Sequence, residues 1–310
     1  MSAYLKNEPE GIAKFNRIGT VSNVLFNLMF IVLSLTAVLP VVFVFIISVS
    51  KESAIQEFGY RLIPREFSWA GYIYLIEQGG VLLRTLANSL VVTVSGTVIG
   101  VLLTALIGYA LSRQDYKLQK FFSWVVFVPM IFNGGLVAQY VVNTQMLMLK
   151  NTVWALILPM CVTSFNVIVT KTFFRLTIPD SLIESAKIDG ASQFGIFARI
   201  VLPLSLPVLA TIGLFLTFAY WNDWWLSMLY IDDPNLYTLQ YFLNKLMADI
   251  TMLSKMAATG NASQLELLAQ MPKESARMAV AMVIVIPIAC AYPYFQKYFI
   301  SGLTVGAVKG

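Results

Sequence analysis

The chain has 310 residues; 58% are apolar or aromatic, 12% are charged, and the formal net charge is +5. A soluble domain carries about 25% charged residues, so this composition predicts a membrane protein and excludes an ordinary soluble domain. The basic residues are scattered among apolar segments, which argues against a nucleic-acid surface. Histidine is absent from the sequence, which removes the commonest general base and metal ligand.

Six apolar segments are long enough to cross a bilayer as helices, which takes about 20 residues. They predict an all-α membrane protein with six transmembrane helices, in which a transmembrane domain (24–310) follows a short N-terminal segment (1–23). The predicted spans are Val24–Val49, Leu86–Leu111, Phe121–Val142, Thr152–Phe174, Leu204–Tyr230 and Met278–Tyr298.

Basic residues near the ends of the spans predict the orientation, because lysine and arginine favour the cytoplasmic side. An even number of spans places both termini on one side. The opposite side has Lys150 alone in its short connection, and acidic residues nearly balance the basic ones in its two longer segments, 50–85 and 231–277. Both termini and the loop 177–203 are therefore predicted to be cytoplasmic, with 231–277 as a long outer loop. The basic residues on the predicted cytoplasmic side are Lys6, Lys14, Arg17, Arg113, Lys117, Lys120, Arg175, Lys187, Arg199, Lys297 and Lys309.

Small residues recur every four positions in the second span, at Gly96, Gly100, Thr104 and Gly108. Such a stripe allows another helix to approach closely. Two interpretations are open: packing within the chain, or contact with a partner protein.

The third span is interrupted by Asn133, Gly134 and Gly135. Two adjacent glycines cost a helix about 1 kcal/mol each relative to alanine, so an unwound or kinked point is expected. Backbone freed at membrane depth must face protein or a water-filled cavity. The break is either part of a substrate path or a structural kink.

The fifth span ends in a mixed aromatic and polar cluster, Tyr220, Trp221, Asn222, Asp223 and Trp224. An aromatic belt at headgroup depth would explain the rings, but not the amide and the carboxylate among them. Rings interleaved with polar groups suit a sugar, whose C–H faces stack while its hydroxyls form hydrogen bonds. Belt and substrate path are both open.

The polar loop 177–203 lies between the fourth and fifth spans and carries two helix signals. Thr177 and Asp180 fit a capping pair, and Leu182, Ile183 and Ala186 share one helix face. Gly190 predicts a sharp turn, after which a second short helix should run from about residue 192 to 201. A helix–turn–helix held at the membrane surface suits docking into a groove of a partner. A helix lying on lipid fits less well, because its carboxylates would face anionic headgroups.

This loop resembles the E-A-A…G…I-x-L-P coupling loop of ABC importer permeases, with a serine in place of the middle alanine. Two segments, one around Asp189 and one at Trp221–Asp223, are similar to the carbohydrate-uptake, maltose-type branch. Two others, at 133–136 and 236–240, are similar to its complex-oligosaccharide subgroup. The resemblance implies that the following residues couple the chain to an ATPase: Glu184, Ser185, Ala186, Asp189, Gly190, Ile200, Leu202 and Pro203.

The resemblance also implies a heteromeric carbohydrate importer in the cytoplasmic membrane of a prokaryote. This chain would pair with a second, homologous permease, two ATPase subunits and an extracytoplasmic sugar-binding lipoprotein. ATP and Mg would be bound by the ATPase, because this chain has no phosphate loop, and the chain itself would do no bond chemistry.

Two alternatives from other classes remain at this point. A secondary transporter predicts internal repeats and ionisable residues deep in several spans, whereas Asp223 is the only good deep carboxylate and lies near the end of a span. A membrane scaffold would need neither the break at 133–135 nor the polar-aromatic cluster.

Overall fold

The computed structural model describes residues 19–77, 79–258 and 272–307, and nearly all of this part is helical. Within these ranges the β-structure is an isolated bridge between Ser50 and Phe67. The prediction of a helical protein is confirmed. The helices are α1 (Thr20–Ser48), α2 (Glu52–Phe58), α3 (Ala70–Glu77), α4 (Gly79–Ser112), α5 (Gln119–Ile131), α6 (Gly135–Val141), α7 (Trp154–Cys161), α8 (Ser164–Thr177), α9 (Asp180–Ile188), α10 (Gln193–Ile196), α11 (Leu202–Leu204), α12 (Leu206–Trp221), α13 (Trp225–Tyr230), α14 (Leu239–Ala258) and α15 (Lys273–Ala307).

Some of the predictions fall on parts of the chain that are not described. Lys6, Lys14, Arg17 and Lys309, which contribute to the predicted orientation, lie outside the described residues, as do positions 259–271 of the predicted outer loop. Of the predicted N-terminal segment, residues 1–18 lie outside the description, and Thr20 to Asn23 already belong to α1.

The described residues form two compact units. Unit 1 contains residues 19–72 and 274–282, and its longest element, α1, has mostly exposed apolar side chains. A helix that is apolar on all sides is typical of a lipid-facing span. Glu52 of α2 accepts hydrogen bonds from the backbone nitrogens of Glu274 (3.1 Å) and Ser275 (3.1 Å). Its carboxylate thus satisfies free donors at the beginning of α15.

Unit 2 is organised around α4, against which α12, α8 and α7 pack. The small residues of α4 make this close packing possible: a Cβ on Gly96 would lie 2.5 Å from the ring of Tyr220, and one on Gly100 would lie 2.7 Å from the carbonyl oxygen of Cys161. Thr104 of the same stripe is fully buried. The stripe therefore packs within the chain, which favours the first of its two interpretations.

By length and composition, the described part contains three helices able to span a membrane: α1, α4 and the Lys273–Pro293 part of α15. Two bent pairs bring the number to five if each is one broken span. These are α7 with α8, bent by 49°, and Gln193–Leu204 with α12, bent by 81°. The predicted number of six is not reached by this criterion.

The difference arises because three predicted spans are interrupted. The third is divided at residues 132–134 into α5, which has 13 residues, and the shorter α6. In the fourth, Thr163 lies in an extended conformation between α7 and α8, and its hydroxyl accepts a hydrogen bond from the Asn166 nitrogen at 3.3 Å. The fifth is interrupted between Trp221 and Trp225. The six spans are predicted from the length and apolar character of whole segments, which do not reveal a break of a few residues within a segment.

Candidate functional site

The loop 177–203 folds as two short helices joined by a tight turn, as predicted. The first is α9, and Gly190 follows its end with φ of +78°, a left-handed conformation in which glycine costs least. The second begins with Ser192, whose hydroxyl accepts a hydrogen bond from the Gly195 nitrogen at 3.1 Å. It runs through α10 into a π-helical segment, Phe197–Val201.

The predicted capping pair at the start of α9 is wrong. Thr177 is the last residue of α8, and Pro179 precedes α9 without a side-chain cap. The carboxylate of Asp180 is instead 3.3 Å from Nη1 of Arg113, in the loop that connects α4 to α5. A long-range ion pair therefore takes the place of the predicted local cap.

A second ion pair joins the same two loops. Lys187 Nζ lies 2.5 Å from the Asp115 carboxylate. The hydrogen bond from Lys187 holds the pKa of Asp115 below its ordinary value, and the same bond raises the pKa of Lys187. Near the second helix, the Tyr109 hydroxyl donates a hydrogen bond to Gln193 Oε1 at 3.1 Å. Together these contacts hold the loop 177–203 against the cytoplasmic-side end of α4 predicted from the sequence.

The two faces of α9 have different surroundings. Of the predicted face, Ile183 and Ala186 are buried in the hydrophobic core of the chain itself, with Ala186 only 9% exposed, whereas Leu182 is 38% exposed and does not share this burial. Ala186 therefore allows close packing of α9 on its own chain. The opposite side of the helix presents Glu184, Ser185 and Ile188, and Ile188 is 86% exposed. This exposed side is the surface available for docking.

The remaining predicted coupling residues lie on either side of these helices. Asp189 and Gly190 are exposed at the turn. Ile200 and Leu202 are partly buried and pack against the hydrophobic core. Pro203 lies in α11, next to the bend of 81° that leads into α12. The sequence motif therefore combines an exposed helix, a turn and an anchored return segment.

Arg113 and Asp115 were missed as site residues from the sequence, where Arg113 served only to predict orientation. Their roles depend on partners 67 and 72 residues away along the chain. No periodic pattern reports such a pairing.

The polar-aromatic cluster at 220–224 separates into a buried and an exposed part. Tyr220 is buried, and its hydroxyl donates to the Ile157 carbonyl oxygen at 2.7 Å. Trp221 is also buried and donates to the carbonyl oxygen of Ile284 at 3.1 Å. Both rings stabilise the packing of α12 within unit 2 and are not presented at the surface.

The exposed part of the cluster consists of Asn222, Asp223 and Trp224, at the break between α12 and α13. Asn222 and Trp224 are exposed and Asp223 is half-buried. The Asp223 carboxylate accepts a hydrogen bond from the Leu226 nitrogen at 3.1 Å, which satisfies a donor at the start of α13. These residues are the ones in this cluster that a substrate could contact.

The break at Asn133, Gly134 and Gly135 is present and exposed. Gly135 has φ of +84°, and its nitrogen donates to Asn133 Oδ1 at 2.8 Å. The side chain of Asn133 therefore stabilises the unwound backbone. The helical parts on either side are short and expose most of their side chains, which leaves this segment open to a partner, a substrate or lipid.

Among the described residues, no group of three or more His, Cys, Asp and Glu side chains could hold a metal ion. Within the described residues, no side-chain hydrogen bond or ion pair joins the loop 177–203 to the exposed segments at 133–135 and 222–224. What they offer is an exposed helix with an acidic side chain, and amide and ring groups beside helix breaks.

The chain is similar to several known proteins. It is 37% identical over 285 residues to the polygalacturonan/rhamnogalacturonan transport system permease protein YtcP of Bacillus subtilis (strain 168), covering 92% of this chain and 96% of that protein. It is 33% identical over 234 residues to the probable ABC transporter permease protein YurM of the same strain, covering 72% and 68%. No protein-family model matches the chain.

A solved structure also matches most of the chain. It is the crystal structure of a bacterial ABC transporter involved in the import of the acidic polysaccharide alginate. The TM-score is 0.77 with 25% sequence identity, and the match covers 92% of this chain and 100% of that one.

Proposed function

The chain belongs to the permease subunits of ABC transport systems for carbohydrates, and we propose that it forms half of the translocation pathway of a binding-protein-dependent importer. It is an integral membrane transport subunit and not an enzyme. The relatives give no support to the alternative of a secondary transporter. The observation that carries the mechanism is the exposed side of α9, held on its own chain by two ion pairs.

In this proposal, the exposed side of α9 docks into a groove on an ATPase subunit. Glu184 and Ile188 are both exposed there, so the helix offers one charged and one apolar contact in the manner of helix-in-groove recognition. When the ATPases close, they move α9. The ion pairs at Asp180 and Lys187 then transmit that motion to the end of α4.

The complex we propose contains a second, homologous permease, two ATPase subunits that bind ATP and Mg, and an extracytoplasmic solute-binding lipoprotein. The chain spans the cytoplasmic membrane six times when α5 and α6 are counted as one broken span in addition to the five candidates. Both termini and the loop 177–203 face the cytoplasm in this arrangement, as the positive-inside pattern favours.

The cargo we propose is an oligosaccharide that carries acidic sugar residues. YtcP is named as a permease of a polygalacturonan/rhamnogalacturonan transport system, and the solved transporter is involved in the import of the acidic polysaccharide alginate. The exposed groups of Asn133, Asn222 and Trp224 can offer hydrogen bonds and a stacking ring to a sugar. They lie on this chain's share of the path in this proposal.

The test is transport by the reconstituted complex with Glu184→Lys. We expect the complex to assemble and hydrolyse ATP, and uptake of oligosaccharide to fall at least about tenfold, because a reversed charge removes a charge-assisted contact of about 1.5–3 kcal/mol at the docking helix. Glu57→Lys is the matched control: it makes the same charge change at another exposed carboxylate, in the predicted outer segment 50–85.

Two results would contradict the proposal. If the tagged chain purifies alone from solubilised membranes, without a second permease or an ATPase, it is not an importer half. If Glu184→Lys and Glu57→Lys transport equally well, α9 does not couple the ATPase to transport.

A further inference from the structure

We infer that a basic groove between α5 and α8 is a binding subsite for the carboxylate groups of an acidic oligosaccharide. The groove has a volume of about 670 Å³, within the usual range of about 300–1,000 Å³ for small-molecule sites. It is separate from the loop 177–203 and from the breaks at 133–135 and 222–224. The inference rests on the importer function proposed above.

Helical spacing places the relevant side chains on the two walls of the groove. Lys120, Ser123, Trp124 and Phe127 lie on one face of α5, at intervals of three and four residues. Lys171 and Arg175 lie one turn apart on the facing wall from α8. One wall therefore supplies a cation and two rings, and the other supplies two cations.

The positive charge of the groove is not compensated by a carboxylate of the described residues. No carboxylate is among the residues that line the groove. None of its three cations forms a salt bridge within the described ranges, where the ion pairs of lysine and arginine involve other residues. Lys171 and Arg175 also repel each other, because like charges four residues apart destabilise a helix. An anionic ligand would relieve this repulsion.

The position of Lys171 favours a ligand inside the groove over a lipid headgroup. A lipid-facing lysine directs its ammonium group along its own stem towards the headgroups. Lys171 instead reaches across the groove, where its Nζ donates to the Ser123 hydroxyl at 2.9 Å, and it is half-buried. Its charge is thus held in place before a ligand arrives, which lowers the cost of binding.

The chemistry of the groove matches an acidic sugar. A sugar carboxylate can form a bidentate pair with the guanidinium of Arg175 and a charge-assisted hydrogen bond with Lys171. The faces of Trp124 and Phe127 offer stacking surface for the C–H side of the ring. In the proposed orientation the groove lies towards the cytoplasm, so it would receive the cargo late in import.

The test uses the complete importer in liposomes of neutral phosphatidylcholine, with trigalacturonate as the probe. Its methyl ester has the same sugar backbone, is only slightly larger and has no charge, so it serves as the neutral comparison. We expect Lys171→Met and Arg175→Gln each to reduce trigalacturonate uptake about tenfold or more, which is the loss of one charged hydrogen bond. Uptake of the ester should be unchanged. Lys117→Met, which removes a nearby cation outside the groove, should transport both sugars normally.

The possible results separate this inference from the proposed function. A complex that imports no sugar at all would overturn both. Wild-type uptake of the ester without uptake of trigalacturonate would overturn the acidic subsite and leave the importer intact. Equal loss of both sugars in the variants would overturn the inference, because the ester carries no charge. Stimulation of wild-type uptake of both sugars by added phosphatidylglycerol, absent from the two variants, would show a lipid site instead and overturn it too. Normal trigalacturonate uptake in both variants would overturn it as well.

Discussion

The contact between Gly96 and Tyr220 links two features that looked independent in the sequence. The first belongs to a stripe of small residues in α4, and the second to a polar-aromatic cluster in α12. In the structure the tyrosine ring lies where a Cβ of residue 96 would be, and its hydroxyl bonds the Ile157 carbonyl oxygen of α7. The absence of a side chain at one position thus allows three helices to meet.

We expect Gly96→Ala to destabilise the protein by about 1–3 kcal/mol, because the added methyl group must displace the buried Tyr220 ring. The new Cβ would lie 2.5 Å from that ring. Gly80→Ala is the control: it makes the same substitution in the first turn of the same helix, where nothing lies within 4 Å of its Cβ. The measurement is the thermal unfolding midpoint in detergent. Equal midpoints for the two variants would show that the contact does not limit packing.

At the scale of elements, the sequence predicts what depends on neighbours along the chain. The two helices of the loop 177–203 and the turn at Gly190 follow from apolar spacing and from the conformational freedom of glycine. The partners of Asp180 and Lys187 do not follow, because an ion pair that closes over some seventy residues leaves no local pattern. The predicted cap failed for the same reason.

The breaks within the spans show the same limit. The glycines at 134 and 135 predict the first break, since two adjacent glycines weaken a helix wherever they occur. The break before Trp225 has no comparable signal. It is stabilised by the hydrogen bond from Leu226 to the Asp223 carboxylate, a residue that the sequence equally allows as a substrate contact or a brace.

The ion pair between Asp115 and Lys187 predicts a charge-swap rescue. Asp115→Lys should weaken coupling of ATP hydrolysis to uptake, because it places two cations together where α9 meets the α4–α5 loop. The double variant Asp115→Lys with Lys187→Asp should recover most of it. The interaction energy from the double-mutant cycle should be about 0.5 kcal/mol, since both side chains are at least a third exposed. A double variant no better than the sum of its single variants would contradict the pairing.

The pKa values of Asp115 and Lys187 determine the pH range over which their ion pair stabilises the protein. The pKa of Asp115 is lowered, so its stabilising effect is present above the ordinary value of about 4 and is lost as pH falls through the lowered value. The pKa of Lys187 is raised, so its effect is present below about 10.4 and is lost only above the raised value. Across about pH 5–9, the difference in free energy of unfolding between the wild type and Asp115→Lys should therefore stay constant.

At the scale of the whole molecule, we propose that the interrupted spans and the loop 177–203 serve one arrangement. Each break frees backbone groups that must face protein or water, so the exposed breaks are suited to a path at the interface with a second permease. The coupling loop leads directly into α12 through the bend at Ser205. In the proposed mechanism, movement of the loop is therefore applied at the beginning of a helix whose far end carries the exposed part of the cluster at 222–224.

The orientation that this arrangement requires can be measured with single cysteines. Ile188→Cys on α9 and Met146→Cys in the connection after α6 both replace highly exposed side chains, 86% and 73% exposed. Cys290 is exposed and would be changed to serine, whereas Cys161 is buried and can stay. With a membrane-impermeant maleimide on intact cells, we expect Met146→Cys to react and Ile188→Cys to react only after the cytoplasmic face is opened.

The predicted orientation rests on the basic residues of the short loops, and Lys150 is the single basic residue of the connection that holds Met146. The proposed arrangement has one span between these two positions. Labelling of both from the same side would require none or two spans there, and would remove the cytoplasmic assignment of the loop 177–203.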